Sequence, residues 1–222
     1  MNVGPAADQD GALAWLAAAL EAWEPGAPNT ILDLAGLGTD QLTELDDRLG
    51  RGEVAVVAGE QRIHECRLPG VWRHDSPPLL EVGPAPTLPT VAPLPGPLPV
   101  RPDDLMNGEP IVAEVTTHAA AYRPGDPPHQ VHLSHLPLTP GDLAFVEASL
   151  GERPVRIHMR GYGETHITGA ALDHVWHLRH LNASGQTILS TIEIGDLPEV
   201  IRATPEDLAD AANEAAAMAA QD

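Results

Sequence analysis

One pattern is written twice along this chain, and the duplication restricts its architecture more than any other feature. The later copy runs through Leu150-Gly151, Arg160-Gly161-Tyr162-Gly163, Val175-Trp176 and Glu193-Ile194-Gly195, and closes at Leu197-Pro198. The earlier copy answers it in the same order with Leu49-Gly50, Val71-Trp72, Glu81-Val82-Gly83 and Leu88-Pro89. The approach is shared too, because Leu37, Thr39, Leu42 and Leu45 before Leu49 mirror Leu138, Thr139, Leu143 and Val146 before Leu150. Repeat arrays need about three or more units to bury their faces, so two copies point to a pseudo-twofold protein rather than a solenoid.

Each copy reads as a helix followed by short strands. Residues 39 to 49 place Leu42, Leu45 and Leu49 on one side, with Thr39 or Asp40 as the cap and Gly50 as the stop. Strands are predicted at 53 to 57, 61 to 67, 70 to 74 and 79 to 82. In the later copy a helix at 140 to 150 precedes strands at 154 to 159 and 165 to 169. A hairpin then joins 174 to 181 with 186 to 194 through Asn182-Ala183-Ser184-Gly185. Leu13, Leu16, Leu20 and Trp23 predict an amphipathic helix over 11 to 23, and Thr204-Pro205-Glu206-Asp207 opens one that runs to about 220. A strand is expected at 110 to 117 and a loop at 123 to 129. Eight prolines from Pro84 to Pro102 exclude ladder pairing there. The expected fold is therefore α+β, with two similar halves, each a helix on a small mostly antiparallel sheet, and flanking N- and C-terminal helices. The expected division is 1 to 90 for the N-terminal helix and first repeat, 91 to 108 for a Pro-rich linker, and 109 to 222 for the second repeat with the C-terminal helix.

Charge narrows the partners. Twelve basic residues, all arginine, stand against 32 acidic ones for a formal net charge of -20, which repels phosphate backbones and anionic membrane surfaces. A basic peptide or protein is the favoured partner. No stretch approaches the ~20 apolar residues that span a bilayer, and the start of the chain lacks a signal-peptide pattern, so a bacterial cytoplasmic location is expected. The single cysteine, Cys66, excludes an internal disulfide.

Eleven histidines raise the question of metal. His129, His132 and His135 are spaced by three, as are His174, His177 and His180, but in extended chain residues three apart point to opposite faces. The triplets should split, and neither a metal site nor a cofactor is assigned. Cys66 and His64 would share a strand face, which permits a thiolate-imidazole pair but equally a half-buried structural cysteine. No nucleophile elbow, Walker loop, dinucleotide fingerprint, His-Glu-x-x-His or Cys-x-x-Cys occurs, and the chain is read as not an enzyme. Trp72 and Trp176 take equivalent places as core anchors. Arg160-Gly161-Tyr162-Gly163 reads as a tight turn presenting an aromatic ring and a cation, and these four residues are assigned to partner binding.

From Leu133 to about Asp210 the chain resembles the hydrogenase expression/formation proteins of the HupH and HyaF group. The resemblance rests on His135-Leu-Pro-Leu-Thr139, Asp142-Leu143, Leu150-Gly151, Arg160-Gly-Tyr-Gly163, Val175-Trp176, Leu181-Asn182, Thr191-Ile-Glu-Ile194, Leu197-Pro198 and Glu206-Asp-Leu208, with Leu49-Gly-Arg-Gly-Glu-Val54 and Pro69-Gly-Val-Trp-Arg73 in the first copy. It implies a non-catalytic maturation chaperone for a nickel-iron uptake hydrogenase. The implied client is the iron-sulfur small-subunit precursor, held before assembly and twin-arginine export, and other hydrogenase accessory proteins are implied as further partners. The alternative is a His-based metal-handling accessory protein of hydrogenase maturation. Where the group reads Gly-Asn-Cys-Arg-Ile, this chain has Gly163-Glu164-Thr165-His166-Ile167, so Thr165 stands in place of a thiol.

Overall fold

The computed structural model describes residues 2–4, 9–96, 98–161 and 163–220. The chain forms two units, the first from residues 1–56, 60–89 and 200–222 and the second from 57–59 and 90–199. Each unit repeats one order of elements. In the first, α1 (Gln9–Glu21), β2 (Thr30–Asp33) and α2 (Thr39–Leu49) precede β3 (Val54–Ala58), β4 (Gln61–Glu65), β5 (Val71–His74) and β6 (Leu79–Val82), with a short β1 (Asn2–Gly4) at the start. In the second, α3 (Gly108–Ala121), β7 (His129–His132) and α4 (Pro140–Leu150) precede β8 (Val155–Arg160), β9 (Glu164–Gly169), β10 (Val175–Leu181) and β11 (Thr187–Ile194). The strand orders correspond: β2-β6-β5-β4-β3 in the first unit and β7-β11-β10-β9-β8 in the second, with β1 parallel on the outer side of β2. The duplication therefore starts one helix and one strand earlier than the sequence shows.

Equivalent hydrogen bonds confirm that the two copies share one local geometry. Helices α2 and α4 both end on a glycine at φ 61°, Gly50 and Gly151, with ψ of -171° and -168°. Leu49 O and Leu150 O then accept from Arg67 N at 2.9 Å and Ala171 N at 3.0 Å. Cys66 N donates to Val71 O and Ala170 N to Val175 O, so the β4–β5 and β9–β10 connections close alike. Trp72 Nε1 donates to Gly83 O at 2.9 Å and Trp176 Nε1 to Gly195 O at 3.1 Å, and both rings are buried. Beside each tryptophan lies a buried glutamate in register. Glu81 accepts from Asn29, Thr87 and His74, and Glu193 from Gln130 Nε2 and Glu199 N. These are core anchors in equivalent places.

Local signals placed most elements. Thr139 and Thr204 cap α4 and α5 (Pro205–Ala219), each accepting from the amide three residues on, with proline at the first helical position. Helix α2 differs from expectation. Its cap is Gly38, with no side-chain cap, and Gln41 Oε1 accepts from Gly38 N instead.

Residues 110 to 117, expected as a strand, are helical. The β-branched Ile111 and Val115 lie four apart and bury on one face of α3, while Thr116 and Thr117 return their hydroxyls to the carbonyls of Val112 and Ala113. The cap of this helix comes from another part of the chain. Asp142 Oδ1, on α4, accepts at 2.8 Å from each of Met106 N, Asn107 N and Gly108 N.

The first unit's core gathers Leu13, Leu16 and Leu20 of α1, Leu45 and Leu49 of α2, and Leu208, Ala211 and Ala215 of α5. The sequence groups the last helix with the second repeat. In the structure α5 packs on α1 and on the first unit's sheet, so closely that a Cβ at Gly70 would lie 2.3 Å from Leu208 Cδ2. In the second unit Ile111, Val115, Val146 and Leu150 of the helices pack on Val131, Val175, Ile192 and Ile194 of the sheet. Among its described residues the Pro-rich stretch carries no regular element, and Leu94 N donates to Glu152 O within the second unit. Among the described residues no helix is long and apolar enough to cross a membrane.

Candidate functional site

The Arg160–Gly163 turn is the tip of the β8–β9 hairpin. Arg160 and Glu164 pair across it, and Gly161 N donates to Gly163 O at 3.1 Å. Tyr162 lies outside the described residues. Strand alternation divides the hairpin into two faces. Val155, Ile157, Thr165 and Ile167 are buried on one, while Arg156, His158, Arg160, Glu164 and His166 line the other. Thr165 bonds to His180 Nδ1 at 2.9 Å through its hydroxyl. The ladder of the second unit ends at β7, so the turn does not border that end strand.

The polar face continues on β10, where His177 pairs with Thr168 and Arg179 with His166. There it lines a cleft of about 460 Å³ together with Leu94 to Gly96 and the C-terminal end of α4. Burial, reinforced by the nearby Arg179 cation, pushes His177 down to about 4. The ring is therefore neutral near pH 7: Arg179 donates to its Nδ1 at 3.3 Å, and its Nε2–H donates to Ser190 Oγ at 2.8 Å. Arg179 also holds Glu147 at 2.9 Å, so its charge is matched inside the cleft.

Both histidine triplets are split. His129 bonds to Glu114 at 2.8 Å, whereas the His132 and His135 rings meet each other 5.4 Å apart. His174 faces Tyr122 and Asp196, His177 faces Ser190, and His180 faces Thr165. Two other groupings, not visible in sequence spacing, do assemble: Glu114 with His118 and His129, and His158 with Glu164 and His166. Cys66 belongs to the first unit's core, where burial pushes its thiol up to about 12 and removes the thiolate that a nucleophile needs. Burial also lowers His64.

A duplicated α+β protein whose second unit presents an open cleft and a glycine-flanked hairpin is the class that this geometry defines. Residues 105–221 match the C-terminal conserved region of the HupH hydrogenase expression protein. The hydrogenase expression/formation protein HoxQ of Cupriavidus necator is 37% identical over 86% of this chain and 73% of its own length. The hydrogenase-1 operon protein HyaF of Escherichia coli is 34% identical over 82% of this chain and 69% of its own. A solved hydrogenase expression protein HupH from Thiobacillus denitrificans is 30% identical over 52% of this chain and 96% of its own, with a TM-score of 0.48. The chain belongs to the HupH family of hydrogenase expression/formation proteins.

Proposed function

We propose that this protein is a non-catalytic maturation chaperone for a nickel-iron uptake hydrogenase. It holds the iron-sulfur small subunit in the cytoplasm before assembly and twin-arginine export. The observation that carries the reading is family membership across both units, among relatives whose names tie them to hydrogenase expression and formation. Two further features support it. The large apolar side chains that remain exposed, including Leu98, Val100, Met106 and Ile188, lie mostly on the second unit, where an incompletely folded client can reach them. The one thiol is sequestered in the core, which speaks against thiol-based covalent catalysis. In this reading Arg160, Gly161, Tyr162 and Gly163 grip the client's backbone at the hairpin tip.

Co-purification from cells expressing the hydrogenase operon is the test, with the tagged full chain as bait. Recovery of the small-subunit precursor is the expected result, and recovery of none, or of the large subunit in its place, refutes the client assignment. For the grip, Tyr162→Ala should speed release of the precursor by about tenfold, the effect of losing an interface aromatic worth on the order of 1 to 2 kcal/mol. Unchanged release from a normally folded variant removes the turn from the binding surface.

A further inference from the structure

We propose that His158, His166 and Glu164, beside the tip of the β8–β9 hairpin, form an exchangeable site for a first-row divalent transition-metal ion. The inference does not rest on the client assignment. Hairpin register builds the cluster, since His158 and His166 are direct cross-strand partners and Glu164 precedes His166 by two on the same face. One Glu164 oxygen lies 3.5 Å from His158 Nε2, and the other lies 3.6 Å from His166 Nε2. These separations are long for hydrogen bonds. They suit two ligands of one ion, because donors ~2.1 Å from a tetrahedral centre stand ~3.4 Å apart.

Two more observations point the same way. His158 Nε2 is shielded from solvent and has no hydrogen-bond partner among the described residues. The two imidazoles meet edge to face, with centroids 4.6 Å apart and planes at 83°, so their in-plane lone pairs can converge on one point. Arg160, opposite Glu164, forms no ion pair with it, which leaves both carboxylate oxygens to the imidazoles. The other grouping fails on this criterion. His118 and His129 stack in parallel at 3.6 Å and 4°, so their lone pairs run side by side.

Two imidazoles and one carboxylate suit zinc, nickel, cobalt or copper better than magnesium or calcium. Three protein ligands leave a coordination position for water or an incoming donor, which favours an ion that exchanges over one locked into the fold.

The experiment uses the purified full chain, stripped with chelator and titrated with zinc alone by calorimetry and with cobalt alone by visible absorption. About one equivalent should bind in the micromolar range, with cobalt bands typical of four or five ligands. His158→Ala, His166→Ala and the conservative Glu164→Gln should each weaken binding at least about tenfold, whereas His118→Ala should leave it unchanged. Melting curves without metal verify that each variant is folded. Absence of binding by the wild-type chain, binding insensitive to all three substitutions, or binding lost in His118→Ala would each overturn the assignment. The first outcome would mean that the cluster is an ion-paired trio only.

Discussion

Asp142 shows how one side chain joins two helices. Its backbone amide donates to Thr139 Oγ1 to start α4, and its carboxylate takes three amides at the N-terminus of α3 and a fourth from Thr139. Burial works against the charge, but the four N–H donors outweigh it and hold the carboxyl well below the usual carboxylate range. A depressed folded value means that the contribution to stability is fully present above the unfolded pKa of about 3.9 and is lost as pH falls toward the folded value. Asp142→Asn keeps the shape and removes the charge at every pH. The gap in melting temperature between wild type and variant should thus be widest near neutrality and narrow below about pH 4. A gap that stays constant through that range would assign the role of Asp142 to shape rather than charge.

At the scale of elements, α5 was legible because its signal is local, a Thr-Pro pair followed by an acid two residues later, and α4 because its apolar spacing repeats that of α2. Helix α3 was not, since its cap lies 34 residues further along the chain and its Ile-Val-Thr content favours a strand. Nor was β2, a four-residue strand, or the placement of α5 in the first unit, which depends on tertiary packing against Gly70. The repeated Leu-Gly pairs were legible, and the structure supplies their cause. Gly50 and Gly151 sit in a backbone region open essentially to glycine alone, where any side chain costs about 1 to 3 kcal/mol. The two sites differ in room. An added Cβ would stand 3.5 Å from Arg67 Cβ at Gly50 but only 2.9 Å from Ala171 Cβ at Gly151. Both alanine variants should be destabilised in urea unfolding, and Gly151→Ala more than Gly50→Ala; equal or reversed losses would show that steric room is not what separates them.

On the scale of the whole molecule, composition described the charge but not the site. Neither of the two triplets that the sequence displays most openly comes together as three, although His132 meets His135, while His158 meets His166 only through hairpin register. The Arg160–Gly163 turn was visible as a motif, whereas the cleft needed α4, β10 and the Pro-rich stretch to converge. The charge has its own consequence for the chaperone role proposed above. With 32 acidic and 12 basic residues, the field around the protein should accelerate encounter with a basic segment such as a twin-arginine signal peptide. That field is long-range and is screened as the Debye length shrinks from about 10 Å at 0.1 M salt to about 3 Å at 1 M. Contacts formed after docking, chiefly apolar and main-chain, are short-range and respond little to salt. Stopped-flow binding to the small-subunit precursor should therefore show an association rate that falls about tenfold or more from low to high salt, with a dissociation rate that changes much less. If salt acts mainly on dissociation, charge pairs lie inside the docked surface, and the acidic field is part of the grip rather than a guide to it.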